Sequence, residues 1–232
     1  MPPQFVGQFG TDALAGAGLG FMWLNVSGQS ILYGTGMGLS TLSSQAFGAK
    51  NYRRVGLLFQ RQLVYQSLLC VPIALCWWHT ESILIFFGQP PAVAFYSAEY
   101  CRWMLPGLPA LPWFNNLNVF LVSQRIPRPS MLVALFTNLC VSMPVAYVLS
   151  RPERLGFAGA PLGVACGQLC QGVLMRIVAP RMVKHPTWLP FQREALYPSG
   201  WLELIRLGLG GAIGLWAEWW SNGAWPFVGF LE

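Results

Sequence analysis

Charged side chains are too scarce in this sequence to cover a water-facing surface. They make up 9% of the 232 residues, and apolar residue types make up 54%. An ordinary globular chain has about 25% charged residues. Disordered chains are poor in apolar residues, so this composition excludes them as well. The composition predicts an integral membrane protein whose outer surface contacts lipid.

Apolar stretches recur along the chain at the length that a membrane-spanning helix requires, about 20 residues. Lipid cannot hydrogen-bond an open backbone, so the prediction is an all-α fold. The second stretch is interrupted near His79 to Glu81. The six predicted spans run from Phe21 to Phe47, Leu57 to Phe87, Tyr100 to Val122, Ser130 to Leu149, Phe157 to Val178, and Leu204 to about Phe230.

Basic residues gather on one side of the predicted spans. Ten lie beside the first, third and fifth connections: Lys50, Arg53, Arg54, Arg61, Arg125, Arg128, Arg176, Arg181, Lys184 and Arg193. Three lie on the opposite side: Arg102, Arg151 and Arg154. Short cytoplasmic loops carry the excess of Lys and Arg, which predicts both termini on the non-cytoplasmic side. Residues 1–20 contain no export signal, so we expect a preceding helix.

Glycines spaced four apart appear in three spans. They are the pair Gly34 and Gly38, the series Gly159, Gly163 and Gly167, and the pair Gly210 and Gly214. Small residues at this spacing let membrane helices approach closely, and we expect these faces to pack. A substrate-facing wall is the alternative interpretation.

Enzymatic sites and cofactor sites are not apparent in the sequence. His79 and His185 have no Cys or carboxylate at ligand spacing, and no nucleotide-binding glycine motif or nucleophile elbow occurs. We therefore predict no metal, no cofactor and no enzymatic activity. The basic residues are dispersed rather than interleaved with stacking aromatics, so no nucleic-acid partner is expected either.

Glu218 is the exception in an otherwise uncharged stretch of the last span, followed by Trp219 and Trp220. An unpaired carboxylate at this depth is costly, and such residues normally face a cavity or mark an ion or proton pathway. The tryptophan faces are suited to an organic cation. In the alternative interpretation, the tryptophans form an interfacial belt and Glu218 lies at a wet helix end. Glu203 and Arg206 are expected to form a local ion pair.

Several segments together resemble the multidrug and toxic compound extrusion (MATE) family of transporters, and its eukaryotic members in particular. They are Gly10 to Ala17 (GTDALAGA), Thr41 to Lys50 (TLSSQAFGAK), Tyr52 and Gly56 with Gln60-Arg61, Met104 to Gln124, Leu155 to Gly163, and Glu218-Trp219-Trp220.

The resemblance implies a fold of twelve helices in two lobes around a central cleft, with the six spans corresponding to helices two to seven. Residues 1–20 would be an outer loop, 21–200 the first lobe without its first helix, and 201–232 the first helix of the second lobe, divergent from about residue 222. The sequence is on this basis expected to be an incomplete form of a longer transporter.

The function implied by the resemblance is export of organic cations or other xenobiotics in exchange for protons or sodium. Glu218, Trp219 and Trp220 would bind the proton and the cation, and polar residues of the spans would line the cleft: Asn25, Gln29, Gln45, Asn115 and Asn118. The alternative is a non-transporting membrane protein that binds or regulates a full-length transporter. The sequence does not distinguish the plasma membrane from a vacuolar or other internal membrane.

Overall fold

The computed structural model describes residues 9–151 and 153–223, and every regular element in that part of the chain is helical. The all-α prediction is confirmed for these residues. The α-helices are α1 (Thr11–Leu24), α2 (Ser30–Gly48), α3 (Tyr52–Trp78), α4 (Thr80–Phe86), α5 (Pro91–Met104), α6 (Ala110–Ser123), α7 (Arg128–Thr137), α8 (Met143–Leu149), α9 (Gly159–Met182) and α10 (Trp201–Gly223).

The first span is longer than the sequence predicted. α1 begins at Thr11 and continues through a π-helical segment, Asn25–Gln29, into α2. Residues 11–20 were expected in an outer loop, and that assignment is wrong. Gly16 and Gly20 lie against the backbone of α5, so small residues rather than large apolar ones make this part of the interface. Hydropathy scores the apolar character of side chains, so it gives little weight to a segment whose small residues pack by close approach of two backbones.

The predicted interruption of the second span is confirmed. α3 ends at Trp78, α4 begins at Thr80, and the two helices meet at a bend of 60°. The helix of the third predicted span begins at Pro91, nine residues earlier than Tyr100. This additional length, the first part of α5, packs along α1. Residues 224–230 of the sixth predicted span lie outside the described residues.

The described helices differ in how clearly they qualify as membrane spans. Arg128–Leu149 and Gly156–Met182 are each long and apolar enough to cross a membrane, and the bent pair α3 and α4 qualifies if counted as one span. The remaining helices carry more small and polar residues or are interrupted. The count of six spans therefore stays a prediction.

Two apolar cores lie one above the other in the bundle. We name them after the orientation that the basic residues predict: the outer core contains Leu32, Trp77 and Tyr100, and the cytoplasmic core contains Leu39 and Phe120. The cytoplasmic core also takes in Leu204 of α10 and Met175 of α9. α10 is thus anchored at its cytoplasmic end by apolar burial.

Two of the three glycine predictions are confirmed. A Cβ on Gly34 or Gly38 would overlap the backbone of α10, and Cβ atoms on Gly159 and Gly163 would overlap the backbone of α8. A Cβ on Gly210 or Gly214 would meet nothing beyond its own helix within 4 Å, so within the described part of the chain the third prediction is wrong. The glycines of α10 that contact α2 are Gly208 and Gly211, which lie on the same face of the helix as Leu204 and Ala212.

Ion pairs tie the cytoplasmic ends of the helices together. Glu203 accepts a hydrogen bond from Arg54 at 2.7 Å, so the predicted pair of Glu203 with Arg206 is wrong. Arg54, at the start of α3, approaches Glu203 from a neighbouring helix, and this contact takes the place of the expected pair within α10. The loop after α9 is held beneath α3, where Gln60 donates to the carbonyls of Leu189 and Pro190.

The predicted orientation can be tested by cysteine accessibility in a cysteine-free variant. We expect a single cysteine at Asn51 to be protected from a membrane-impermeant reagent in intact cells, and a single cysteine at Gln89 to be labelled. The reason is the excess of basic residues beside the first, third and fifth connections. Labelling at Asn51 with protection at Gln89 would reverse the orientation.

Candidate functional site

A buried polar layer separates the two apolar cores. Gln66 of α3 donates to the Leu32 carbonyl at 2.7 Å and to the Thr35 hydroxyl of α2 at 2.9 Å. Asn116 of α6 donates to the Gln66 side-chain oxygen at 3.0 Å. Gln66 and Asn116 are both fully buried. This layer links three helices through side chains that an apolar core would exclude, and it fixes their relative height.

Gln62 lies one turn from Gln66 on the same face of α3 and is also fully buried, but both of its amide atoms lack a hydrogen-bond partner in the described structure. We expect Gln66→Leu to reduce the free energy of unfolding by about 1–2 kcal/mol, because it leaves the Asn116 amide without an acceptor. Gln62→Leu is the matched control and is expected to be neutral or stabilising, because the leucine replaces an unpartnered amide. Equal loss of stability in the two variants, measured by thermal unfolding in detergent, would contradict the layer.

A π-helical segment interrupts the first span on the outer side of this layer. Asn25 and Ser30 bond to carbonyls one turn earlier on the helix, and Ser27 accepts a hydrogen bond from the Trp77 indole at 3.1 Å. Side-chain bonds of this kind compete with the helical ladder and bend helices, and π-helical turns are frequent at functional sites. Of the predicted cleft residues, Asn25 is buried and Gln29 is half-buried here.

The register of α10 against α2 sets the height of Glu218. Gly34 meets Ala212 and Gly38 meets Gly208, so the two helices run antiparallel. Continuing this register outward places Glu218 level with Gly28, within the π-helical segment. That height is about 10 Å outward from the polar layer at Thr35, at 1.5 Å per residue.

Glu218 and the neighbouring Trp219 have exposed side chains in the described part of the chain. Trp219 follows Ala212 by two turns and continues the face that packs on α2, and it is 37% exposed. Glu218 lies beside it, is exposed, and takes part in none of the three ion pairs of the described residues. The side chain of Trp220 lies outside the described structure.

The remaining predicted cleft residues are only partly brought together. Asn115 is buried beside the phenol of Tyr33 on α2, and Asn118 is half-buried one turn further along α6. Gln45 is exposed at the cytoplasmic end of α2. It lies sixteen residues from Gln29, which is about 24 Å along a helix, and it belongs to a different region from Glu218.

The sequence alone does not identify Gln66, Asn116 or Tyr33 as site residues. A signal was present, since Gln62 and Gln66 lie four residues apart in an apolar span. Among the described residues, no three His, Cys, Asp or Glu side chains come close enough to hold a metal ion.

The fold and the site define a polytopic helical membrane protein in which a carboxylate-bearing helix, α10, packs on the π-interrupted helix α2. The chain belongs to the MatE family, whose model matches residues 4–148. The resemblance found in the sequence is thereby confirmed. Members of this family are integral membrane proteins that act as transporters.

Curated relatives match nearly the whole of this chain. An uncharacterized transporter of Schizosaccharomyces pombe is 33% identical over 217 residues, covering 93% of this chain and 40% of the relative. Protein DETOXIFICATION 12 of Arabidopsis thaliana is 29% identical over 219 residues, covering 94% of this chain and 45% of the relative. The chain thus spans less than half the length of these two relatives.

Solved structures give the same fold. A crystal structure of a eukaryotic MATE transporter superimposes with a TM-score of 0.89 at 23% identity, covering 97% of this chain and 50% of the other. The inward-facing conformation of a multidrug resistance MATE family transporter gives a TM-score of 0.77 at 17% identity, covering 94% and 49%. The predicted fold class, an all-α membrane protein that resembles part of the MATE fold, is confirmed, while the correspondence to helices two to seven stays a prediction.

Proposed function

We propose that this chain forms the cation-coupled half of an antiporter that exports organic cations or other xenobiotics in exchange for protons. The observation that carries the proposal is the position of Glu218, on a helix otherwise uncharged from Leu207 to Ala217 and level with the π-helical segment. Relatives named for detoxification and multidrug resistance support the class of substrate.

The side chains near Glu218 suit an organic cation. The carboxylate supplies the charge, and Trp219 beside it offers an exposed aromatic face, which attracts a cation through its ring quadrupole. A proton on Glu218 removes that charge, so proton and cation compete for one carboxyl group. Exchange of the two across the membrane follows when the group faces opposite sides in turn.

The contacts of α10 suggest how access would alternate. Close approach of α10 to α2 is concentrated between Leu204 and Ala212, whereas a Cβ on Gly214 would meet no other described residue outside its own helix within 4 Å. The cytoplasmic half of this helix pair is therefore closed, and the level of Glu218 is more open. Rocking of α10 on α2 about the glycine contacts would expose Glu218 to either side in turn.

A flux assay in proteoliposomes tests the proposal. Residues 11–221 replace the matching half of a full-length relative, and a pH gradient is imposed across the membrane. We expect a fluorescent organic cation to move in the direction opposite to the proton flow. Dependence on sodium at constant pH would replace the proton by sodium as the coupling ion. Co-purification of this chain with a full-length transporter, without flux in the chimera, would favour the non-transporting alternative.

A further inference from the structure

A groove of about 330 Å³ runs between α6 and α9, apart from Glu218 and the polar layer. Ala110 and Trp113 form one wall, and the exposed side chains of Leu169, Val173 and Ile177 form the other. At its floor the helices are close, because Gly172 has no side chain and a Cβ there would lie 3.0 Å from Ala110. The volume is within the range of small-molecule sites.

The groove faces away from the polar side of the bundle. Trp113 and Asn118 are five residues apart on α6, which places them on nearly opposite faces of the helix. Asn118 is half-buried on the polar side, whereas the groove residues Val173 and Ile177 are 59% and 48% exposed. Exposed apolar side chains of this kind contact lipid in a membrane protein.

One cation lies in this apolar groove. The Arg176 guanidinium is 5.1 Å from the ring centre of Trp188 and 5.6 Å from that of Trp113. Trp188 is itself held by Phe59 and Phe120 of the cytoplasmic core. Within the described part of the chain, the three ion pairs involve other arginines, so the charge of Arg176 has no carboxylate partner.

Arg176 lies near the end of α9 that the predicted orientation places beside the cytoplasmic headgroups. Arg176 precedes the end of α9 at Met182 by six residues, about 9 Å, on the side that the basic-residue count assigns to the cytoplasm. The cytoplasmic leaflet carries anionic lipids, and basic pockets between membrane helices on that side bind their headgroups. The tryptophans at this level are typical of the interface.

We infer that the groove binds an anionic phospholipid, with one acyl chain between α6 and α9 and the phosphate group on Arg176. The apolar walls match the acyl chain, and the unpaired guanidinium matches the anionic headgroup. A zwitterionic lipid is bound less well, because its headgroup brings a cation next to Arg176. This site is independent of the transport proposed above.

Lipid titration of the purified protein in a neutral detergent tests the site. Phosphatidylglycerol and phosphatidylcholine with identical acyl chains are added, and the unfolding midpoint gives an apparent affinity, since a ligand that binds the folded state stabilises it. We expect phosphatidylglycerol to bind more tightly than phosphatidylcholine. Equal stabilisation by the two lipids would overturn the assignment.

Two kinds of variant separate charge from shape. Arg176→Gln is expected to weaken phosphatidylglycerol binding about fivefold, since a basic residue near the membrane surface contributes about 1 kcal/mol. Arg176→Lys keeps the charge and most of the affinity. Val173→Trp fills the groove without changing charge and is expected to weaken binding as well.

The matched controls lie on α7, outside the groove. Arg128→Gln removes an exposed cytoplasmic charge, and Leu132→Trp enlarges a side chain that is 60% exposed. We expect neither to change the affinity by more than about twofold, because neither touches the groove. Equal weakening by Arg176→Gln and Arg128→Gln, or unchanged binding in Val173→Trp, would overturn the site.

Discussion

Glu218→Gln is expected to abolish pH-dependent export while leaving the protein folded. Glutamine keeps the shape and hydrogen-bonding capacity of the side chain but removes the group that takes up and releases a proton. The measurement is uptake of a fluorescent organic cation against external pH, in the chimera with the matching half of a full-length relative. We expect flux at the background level at every pH.

Glu203→Gln is the matched control on the same helix. Glu203 pairs with Arg54 at the cytoplasmic end, where the two side chains are 46% and 48% exposed. An exposed pair of this kind contributes about 0–1 kcal/mol, so export should retain its pH profile. Unchanged pH-dependent flux in the Glu218→Gln variant would remove this carboxyl group from the mechanism.

Gly208→Leu is expected to separate α10 from α2. A Cβ at Gly208 would lie 2.8 Å from the Thr35 carbonyl oxygen and 2.9 Å from the Thr35 Cα, and neither backbone atom can move without shifting α2. Overpacking of this kind costs about 1–3 kcal/mol. We expect a lower unfolding midpoint, faster proteolysis at the cytoplasmic end of α10, and loss of flux in the chimera.

Gly210→Leu provides the comparison for that variant. Gly210 is on the same helix and exposed, and a Cβ there would meet no other helix of the described residues within 4 Å. The substitution there improves helix propensity by up to about 1 kcal/mol and creates no clash. If the two leucine variants lose stability and flux equally, the packing of α10 on α2 does not carry the proposed motion.

Features that follow from local rules could be predicted from the sequence. The bend after Trp78, the helical class and the packing of Gly34 and Gly38 follow from hydropathy and residue size alone. The family followed from motifs such as QAFGAK and EWW, which are patterns of whole segments rather than of single residues.

Features that depend on the neighbouring helix could not be predicted in this way. Spacing identifies a glycine pair but not which way it faces around the helix axis, so the sequence indicates Gly210 and Gly214, whereas Gly208 and Gly211 make the contact. Glu203 has a possible partner on its own helix, yet the Arg54 side chain arrives from another part of the fold.

The polar layer cannot be predicted from the sequence for a related reason. A buried glutamine such as Gln66 is identified only by its partners, Leu32, Thr35 and Asn116, which come from two other helices. A single sequence does not show which polar residues of different spans meet. The height of Glu218 relative to the π-helical segment likewise depends on the register of α10 against α2.

Proton movement driven by substrate tests the exchange at Glu218 most directly. Proteoliposomes containing the chimera are loaded with a pH-sensitive dye and given an organic-cation gradient without any initial pH difference. We predict a pH change inside that follows the cation gradient, reverses when the gradient is reversed, and is lost in Glu218→Gln but kept in Glu203→Gln. Cation flux without any proton movement in the unsubstituted chimera would contradict the exchange.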